Sequence, residues 1–259
     1  MTERLRLLTH GDGPDLVLLH GWAMHSGIWG GVVDALAQEF RVHLVDLPGH
    51  GVNRAIELSA DLDRVTDQIL AELPTAMWLG WSLGGLVALN AALRQPQKVQ
   101  KLLLVAATPS FSRQGNWQWG LGATERQAFA DGLENHFEET MKQFSVQTFG
   151  ANLVDESLAR LGDFPLYKSL SDKRTLLTGL QLLYANNLLP VLNRCQQPAM
   201  FLCGSRDRTI LPESFRQAAS LMPAARVNII TGAGHAPFIS HEEEFLNIVR
   251  KFLRAEGEE

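Results

Sequence analysis

The sequence predicts an α/β fold with a mostly parallel central sheet and helices on both faces. Two observations support this prediction: short apolar runs recur along the chain, and helical stretches separate them. This alternation is typical of parallel sheets, whose neighbouring strands need crossover helices. The length of 259 residues favours one domain with an insertion over two independent domains.

The apolar runs fall into two groups along the chain. Predicted strands cover residues 16–19, 41–45, 76–79 and 102–106, and then residues 198–204 and 226–230. From Phe111 to about Tyr184 the periodicity is helical, without a convincing strand. We therefore expect residues 1–110 to form the first part of a core and residues 185–259 the second part. Residues 111–184 would form a helical cap inserted after the sixth strand.

Residues 80–84 read Gly-Trp-Ser-Leu-Gly and stand between a predicted strand and a helical stretch. This is the G-x-S-x-G nucleophile elbow in its strand, turn and helix context. The turn strains the backbone of Ser82 and lifts its hydroxyl clear of the sheet. A Cβ on the flanking glycines would collide with the neighbouring strand and helix. The spacing alone is a weak signal, so the elbow needs support from the rest of the chain.

That support comes from two loops further along. Asp207 follows the run 198–204, and His235 follows the run 226–230. Catalytic groups gather beyond the carboxyl ends of strands in such sheets. A serine hydroxyl is a poor nucleophile, so His235 would take its proton and later return it to the leaving alcohol. Asp207 would hold His235 in the required tautomer, which predicts a triad of Ser82, Asp207 and His235.

Other acidic residues and histidines after Ser82 fit this chemistry less well. The alternatives without a preceding strand, or on predicted helix faces, are Asp131, Asp155, Asp163, Asp172, His136 and His241. His241 lies in a predicted capping box, residues 240–243, where it would face solvent. Taken singly, Asp207 fits a turn former and His235 a surface residue. Their order and placement together favour the triad.

With its Ser, Asp, His order, the chain resembles the α/β-hydrolase family from its first strand to its last helix. The resemblance implies an α/β-hydrolase fold with an oxyanion hole. Its donors would be the backbone N–H groups of Trp22, after the first parallel strand, and Leu83, after the nucleophile. We expect His20 to orient the Trp22 loop and the indole of Trp22 to line an acyl pocket. Residues 46–51, Asp-Leu-Pro-Gly-His-Gly, resemble a structural turn of the family.

A closer resemblance rests on four runs, at residues 16–22, 43–49, 78–88 and 235–241. They are similar to the family of pimeloyl-acyl-carrier-protein methyl ester esterases of biotin synthesis. The resemblance implies hydrolysis of that methyl ester to methanol and a free carboxylate. The residues it implies for substrate binding are Trp22, Ser82, Leu83, Gln143, Phe144, Ser145, Val146, Gln147 and His235. Cap aromatics expected to pack or to line the acyl channel are Phe111, Trp117, Trp119, Phe144, Phe149, Phe164 and Tyr167.

The resemblance also implies an acidic acyl carrier protein as partner, received by arginines on the cap. At the corresponding positions this chain keeps Lys142 but has Glu138, Asp155 and Ala159. The cationic residues of a displaced patch would be Arg160, Lys168, Lys173 and Arg174, although scattered charges usually form a solvated face.

Three competing functions stay open. A general short-chain carboxylesterase or lactonase would use the same triad, and so would a carbon–carbon bond hydrolase. A non-catalytic binding module is disfavoured, because it would have no reason to retain all three triad residues.

Composition excludes further classes. A net charge of −5 without a basic, aromatic cluster argues against nucleic-acid binding. Cys195 and Cys203 are expected to be buried free thiols in a reducing compartment. We expect no cofactor or metal. Without a signal-like or membrane-length apolar run, we expect a cytoplasmic monomer.

Overall fold

The computed structural model describes residues 4–153 and 172–255. Within these ranges the strands are β1 (Leu7–His10), β2 (Asp15–Leu19), β3 (Arg41–Val45), β4 (Ala76–Trp81), β5 (Val99–Val105), β6 (Ala199–Gly204) and β7 (Ala225–Ile230). They form one sheet in the order β1-β3-β2-β4-β5-β6-β7, in which only the β1–β3 pair is antiparallel. The predicted α/β architecture with a mostly parallel sheet is confirmed.

The α-helices of the described ranges alternate with these strands. They are α1 (Gly31–Leu36), α2 (Leu62–Leu70), α3 (Leu83–Arg94), α4 (Ala123–Asn135), α5 (Phe137–Phe149), α6 (Lys173–Ala185), α7 (Pro212–Ser220), α8 (Pro237–Ser240) and α9 (Glu242–Arg254). Short 3₁₀ helices cover Ser26–Trp29, Gly51–Asn53, Pro96–Lys98 and Leu189–Arg194.

The central strands are apolar because both of their faces are covered. Every residue of β4 and of β6 is buried, and helix α3 is buried from Leu83 to Ala92 because it lies between the sheet and α2. At the other extreme, α9 has a strongly amphipathic sequence and buries a single apolar stripe, part of it against α1. The buried middle of the sheet therefore carries the loops at its carboxyl edge on a rigid base.

The insertion between β5 and β6 departs from the sequence prediction in two respects. It follows the fifth described strand and not the sixth, because only β1 precedes the first parallel strand, β2. Residues 111–122 are also not helical. They form a turn-rich segment with isolated bridges Ser112–Leu121 and Gln114–Trp117. Gly120 lies so close to Ser112 that an added Cβ would be 2.3 Å from its carbonyl carbon, so the segment folds back on itself before α4 begins.

Several predicted residues fall outside the described ranges, namely Asp155, Ala159, Arg160, Asp163, Phe164, Tyr167 and Lys168. Cys195 and Cys203 are buried free thiols, as predicted, and burial raises their pKa values to about 11 and about 12. No helix within residues 4–153 and 172–255 has the length and hydrophobicity of a membrane span.

Candidate active site

Ser82 occupies the sharp turn between β4 and α3. Its backbone lies in the left-handed region, with φ 53° and ψ −115°, a conformation that costs a non-glycine residue about 1–3 kcal/mol. Close packing holds the turn. A Cβ on Gly80 would lie 2.3 Å from the Gly84 carbonyl oxygen, and one on Gly84 would lie 2.4 Å from the Leu19 oxygen. The collisions expected with helix and strand are therefore present, and they fix the position of Ser82.

Asp207 and His235 are brought together in a buried pair. The Asp207 Oδ2 and His235 Nδ1 atoms are 2.9 Å apart, and their side chains are 0% and 3% exposed. Since an ionised carboxylate can only accept, His235 donates from Nδ1, and its Nε2 atom is the free acceptor. The other Asp207 oxygen accepts backbone N–H groups from Thr209 at 2.8 Å and Ile210 at 3.0 Å. These bonds hold the carboxylate in the orientation that directs His235.

Trp81 positions His235, a role that was not predicted from the sequence. Its indole Nε1 donates to the His235 carbonyl oxygen at 2.9 Å, and the two rings lie 5.8 Å apart. Trp81 is fully buried and also packs edge-on against Phe238 in α8, the short helix that follows His235. The sequence did contain a signal for this contact. A tryptophan inside the elbow is expected to be buried, and a buried indole N–H needs a hydrogen-bond acceptor nearby.

The predicted oxyanion donors lie at the expected place in the fold. Leu83 is the first residue of α3, so its N–H has no acceptor within the helix and lies at the positive end of the helix dipole. Trp22 follows β2 in a loop that ends in a turn, where Met24 N–H donates to the Gly21 oxygen at 3.3 Å. The Trp22 indole donates to the Leu176 oxygen of α6 at 2.8 Å, which ties this loop to the cap.

His20 is a buried structural residue of that loop. Its Nδ1 lies 2.8 Å from the Gly21 oxygen, and its Nε2 accepts the Leu47 N–H at 3.0 Å. Burial, with a smaller contribution from His50, lowers the pKa of His20 to about 3. His20 is therefore neutral, with both ring nitrogens engaged by the backbone. This arrangement agrees with the expected role in orienting the loop.

The Asp46 carboxylate fixes the turn at residues 46–51. It accepts N–H groups from Ser26 at 2.6 Å and Val52 at 2.8 Å. Together with the proximity of His20, these bonds hold the pKa of Asp46 below its usual range, although burial opposes that shift. The turn is structural, as its resemblance to the family segment implies.

Ser82 and His235 line one largely apolar cavity of about 220 Å³ between the core and the insertion. Trp22 forms one wall, where its ring contacts Phe144 edge-on at 4.9 Å and Phe129 at 5.5 Å. Further lining residues that the sequence analysis did not assign to the site are Thr108, Leu180, Leu183, Tyr184, Thr209 and Ile210. Burial in this wall raises the pKa of the Tyr184 hydroxyl to about 12, so it stays protonated. The cavity suits a short apolar acyl chain next to the serine.

Helix α5 presents only part of its predicted contact stretch to this cavity. Phe144 and Gln147 line it, three residues apart on one helix face. Gln143 and Val146 are exposed on an adjoining surface, and Ser145 is buried with its hydroxyl donating to the Met141 oxygen at 2.8 Å. The resemblance implied a contiguous contact stretch, whereas the helix separates alternate residues onto different faces.

The other cap aromatics have mixed positions. Phe111 and Trp119 line the cavity, whereas Phe149 packs towards Trp81 with ring centroids 6.4 Å apart. Trp117 is buried and donates from its indole to the Ser110 oxygen at 3.0 Å. With Phe144, three of the five predicted rings in the described ranges line the cavity and two pack elsewhere, whereas packing residues were expected from the sequence to be the majority.

The rival residues have other positions. Asp172 caps α6 by accepting the Thr175 N–H at 2.7 Å, and Asp131 is exposed on α4. His136 is exposed at the junction between α4 and α5. The predicted capping box at residues 240–243 is wrong. Ser240 ends α8, and its hydroxyl contacts the half-buried His241 ring at 2.8 Å, because a separate short helix precedes α9.

The chain matches known proteins along most of its length. A family model described as alpha/beta hydrolase fold matches residues 14–242. A protein of Nitrosomonas europaea named pimeloyl-[acyl-carrier protein] methyl ester esterase is 40% identical over 94% of this chain and 97% of that protein. A protein of the same name from Nitrosospira multiformis is 38% identical over 94% of this chain and 96% of that protein.

A solved structure has the same fold. The bromoperoxidase from Bacillus anthracis superposes with a TM-score of 0.86 at 25% identity, covering 96% of this chain and 95% of that one. With the family model spanning most of the chain and relatives of this identity along nearly its whole length, the protein belongs to the α/β-hydrolase family, in the group of the Nitrosomonas and Nitrosospira esterases.

Proposed function

We propose that the protein is a serine carboxylesterase that hydrolyses the methyl ester of pimeloyl-acyl-carrier protein. The products are methanol and pimeloyl-acyl-carrier protein with a free terminal carboxylate, a step of biotin synthesis. The relatives that carry this substrate in their names match along nearly the whole chain. The main structural support is one apolar cavity lined by Ser82 on its strained turn and by His235, whose Nδ1 is held by buried Asp207.

The proposed reaction proceeds through an acyl-enzyme. The Ser82 Oγ attacks the ester carbonyl carbon while His235 Nε2 accepts the hydroxyl proton. The tetrahedral intermediate collapses, and His235 returns the proton to the departing methoxide, which leaves as methanol. A water molecule then gives a proton to His235 and attacks the acyl carbon. Collapse of this second intermediate releases the carboxylic acid and restores the Ser82 hydroxyl.

We assign the stabilisation of the oxyanion to the backbone N–H groups of Leu83 and Trp22. The Leu83 N–H supports this role because it starts a buried helix and has no acceptor within that helix. Each such donor typically lowers the barrier by about 3–4 kcal/mol. The low exposure of Ser82 and His235, at 7% and 2%, strengthens such electrostatic interactions by excluding water.

We assign substrate selection to the insertion at residues 111–184, which serves as the cap. Its contribution to the cavity comes from side chains such as Phe129, Phe144 and Leu180, whose apolar character suits a methylene chain. A carrier protein cannot enter a cavity of about 220 Å³, so only the acyl chain and its flexible attachment would reach Ser82. We further propose that the enzyme acts as a monomer in the cytoplasm, where a carrier-bound substrate would be found.

The decisive experiment compares wild type and Ser82→Ala on methyl-pimeloyl-carrier protein and on a small p-nitrophenyl ester. Removing the nucleophile should lower kcat on both substrates by a factor on the order of 10⁴–10⁶. Ser220→Ala is a matched control, because its exposed hydroxyl only donates to the Gln217 oxygen at 2.8 Å. That control should retain wild-type rates, and circular dichroism should show that all three proteins are folded.

Two outcomes would contradict the proposal at different levels. Activity retained by Ser82→Ala would exclude the acyl-enzyme mechanism. Wild type that turns over the small ester but not the carrier-bound ester would leave a general carboxylesterase or lactonase. The exposed Glu138 in place of a family arginine is the observation that favours this second candidate.

A further inference from the structure

An open groove of about 1400 Å³ adjoins the catalytic cavity. One wall is the outward face of α5 with the residues that follow it, from Lys142 to Leu153. The other wall is formed by the two loops that carry the triad partners. Arg206 and Arg208 flank Asp207, and Gly232 and Gly234 lie on the approach to His235. We call this surface the outer groove.

The described lining of the outer groove is cationic, in a chain that is anionic overall. Lys142, Arg206 and Arg208 are all exposed and line it, and Glu139 is the one carboxylate among the described lining residues. None of the three cations forms an ion pair with a described residue. The protein as a whole has a net charge of −5, so the groove is a local reversal of charge.

The cations of the predicted displaced patch that fall within the described ranges are already engaged. Lys173 Nζ donates to the backbone carbonyl oxygen of Glu134 at 2.7 Å, and Arg174 forms an ion pair with Glu57. An incoming anion would therefore compete with existing partners at those two residues. At Lys142, Arg206 and Arg208 it would meet cations that have no ion-pair partner within residues 4–153 and 172–255.

Backbone hydrogen bonds hold the loop that carries Arg206 and Arg208 on either side of Asp207. Arg206 N–H donates to the Ala233 oxygen at 2.9 Å, and Asp207 N–H donates to the Gly204 oxygen at 3.2 Å. Across the groove, Gln147 Nε2 lies 3.5 Å from the Arg208 oxygen, and Gln147 lines both the outer groove and the catalytic cavity. The cationic surface thus reaches the entrance to Ser82.

We infer that the outer groove docks the acidic face of the carrier protein that bears the ester, with Lys142, Arg206 and Arg208 as its cationic contacts. The inference rests on the proposed function, which supplies a protein-bound substrate. In this arrangement Arg206 and Arg208, on a core loop, bind the carrier protein in place of the cap arginines that the family resemblance implied. Charge complementarity of this kind steers encounter and sets the orientation in which the acyl chain meets the cavity.

The test reverses charge in the groove and compares two substrates. Lys142→Glu, Arg206→Glu and the double variant are assayed with methyl-pimeloyl-carrier protein and with a p-nitrophenyl ester. The ratio of the two kcat/KM values, carrier ester over small ester, should fall about tenfold for each single variant and further for the double. The lower kcat/KM for the carrier ester should come mainly from a higher KM. Arg64→Glu, an exposed arginine on α2 outside the groove, is the matched control and should keep the wild-type ratio.

Salt provides a second readout that a merely structural effect would not move. Between about 50 mM and about 500 mM NaCl, wild-type KM for the carrier ester should rise, whereas the double variant should show little dependence. Unchanged ratios in the groove variants, with wild type active on both substrates, would overturn the docking inference alone. Wild type inactive on the carrier ester would overturn the proposed function, and the docking inference with it.

Discussion

The core side and the cap side of the active site are built in different ways. On the core side, Ser82, Asp207 and His235 are held by backbone turns, buried hydrogen bonds of 2.8–3.0 Å and glycine contacts that leave no room for a Cβ. On the cap side, α5 contributes mainly ring packing between Phe144 and Trp22, and one long contact of 3.5 Å from Gln147 to the core.

This difference suggests that the core side determines catalytic geometry and the cap side determines substrate selection. Catalytic geometry tolerates displacements of only about 0.5 Å, so it needs the strongly constrained side. Apolar contacts are non-directional and tolerate adjustment, so they suit selection among acyl chains. We therefore expect core substitutions to lower kcat by large factors and cap substitutions to raise KM by small ones.

The largest effect in this comparison is expected for Asp207→Asn. The amide can still accept the Thr209 and Ile210 N–H groups, but its NH₂ group would then face His235 Nδ1 and reverse the tautomer. We expect kcat to fall about 10³–10⁴-fold with KM little changed, measured on a p-nitrophenyl ester. Asp172→Asn makes the same chemical change at a helix N-cap, where asparagine serves equally well, and should leave kcat intact. A rise in KM with kcat unchanged would instead assign Asp207 to substrate binding.

An intermediate effect is expected on the cap side. Phe144→Ala removes a cavity wall and its edge-on contact with Trp22, so KM for a medium-chain ester should rise about tenfold with kcat nearly constant. Val146→Ala, two residues away but 40% exposed, should change kcat/KM less than about twofold. Equal effects from both substitutions would break the proposed division between the two faces of α5.

The third effect leaves catalysis at neutral pH aside and concerns the stability of the core. Burial lowers the pKa of His20 to about 3, against 6.5 in the unfolded chain. Between these values the unfolded state binds the extra proton, so stability is complete above pH about 6.5 and falls by about 1.4 kcal/mol per pH unit below it. Burial also lowers the pKa of His50. Of the neighbouring charged groups, Asp46 raises the pKa of His20 and His25 lowers it further.

Urea unfolding from pH about 7.5 to about 4.5 measures this slope. His20→Gln should have a slope that is smaller by about one proton, together with lower stability at neutral pH because the Leu47 N–H loses its acceptor. Ser220→Ala, an exposed substitution that changes no titratable group, should keep the wild-type slope. Identical slopes in all three proteins would show that the His20 site does not resist protonation.

The sequence was sufficient for the core because its signals are local. A strained serine between a buried strand and a helix needs small neighbours. Gly80 and Gly84, within the same five residues, meet that requirement and are visible in the sequence. Asp207 and His235 each follow an apolar run, and parallel strands bring such loops to one edge. Strands β6 and β7 are neighbours in the sheet, so the loops that follow them bring Asp207 and His235 together.

The cap could not be predicted to the same depth because its contacts are not local. Trp22 meets Phe129 and Phe144 only because three separate segments converge, and no spacing in the sequence encodes that convergence. Resemblance supplied the stretch at residues 143–147, but helical geometry decides which of those residues reach the cavity. The cationic outer groove also combines α5 with loops some sixty residues later, so charge counts along the cap alone did not reveal it.

The Trp22–Leu176 hydrogen bond has a consequence for how this enzyme could be re-engineered or diversified. Helix α6 also crowds the same loop, since a Cβ on Gly179 would lie 2.7 Å from Trp22 Cδ1. Mechanically, α6 is thus part of the base, although it lies within the inserted segment. A chimaera that exchanges the insertion between relatives should place its second junction ahead of α6, so that the Trp22 indole keeps the Leu176 carbonyl oxygen as its acceptor. Chimaeras with the second junction after α6 would pack the α6 of another protein against Trp22. We expect such chimaeras to have a lower kcat in addition to any change in substrate specificity.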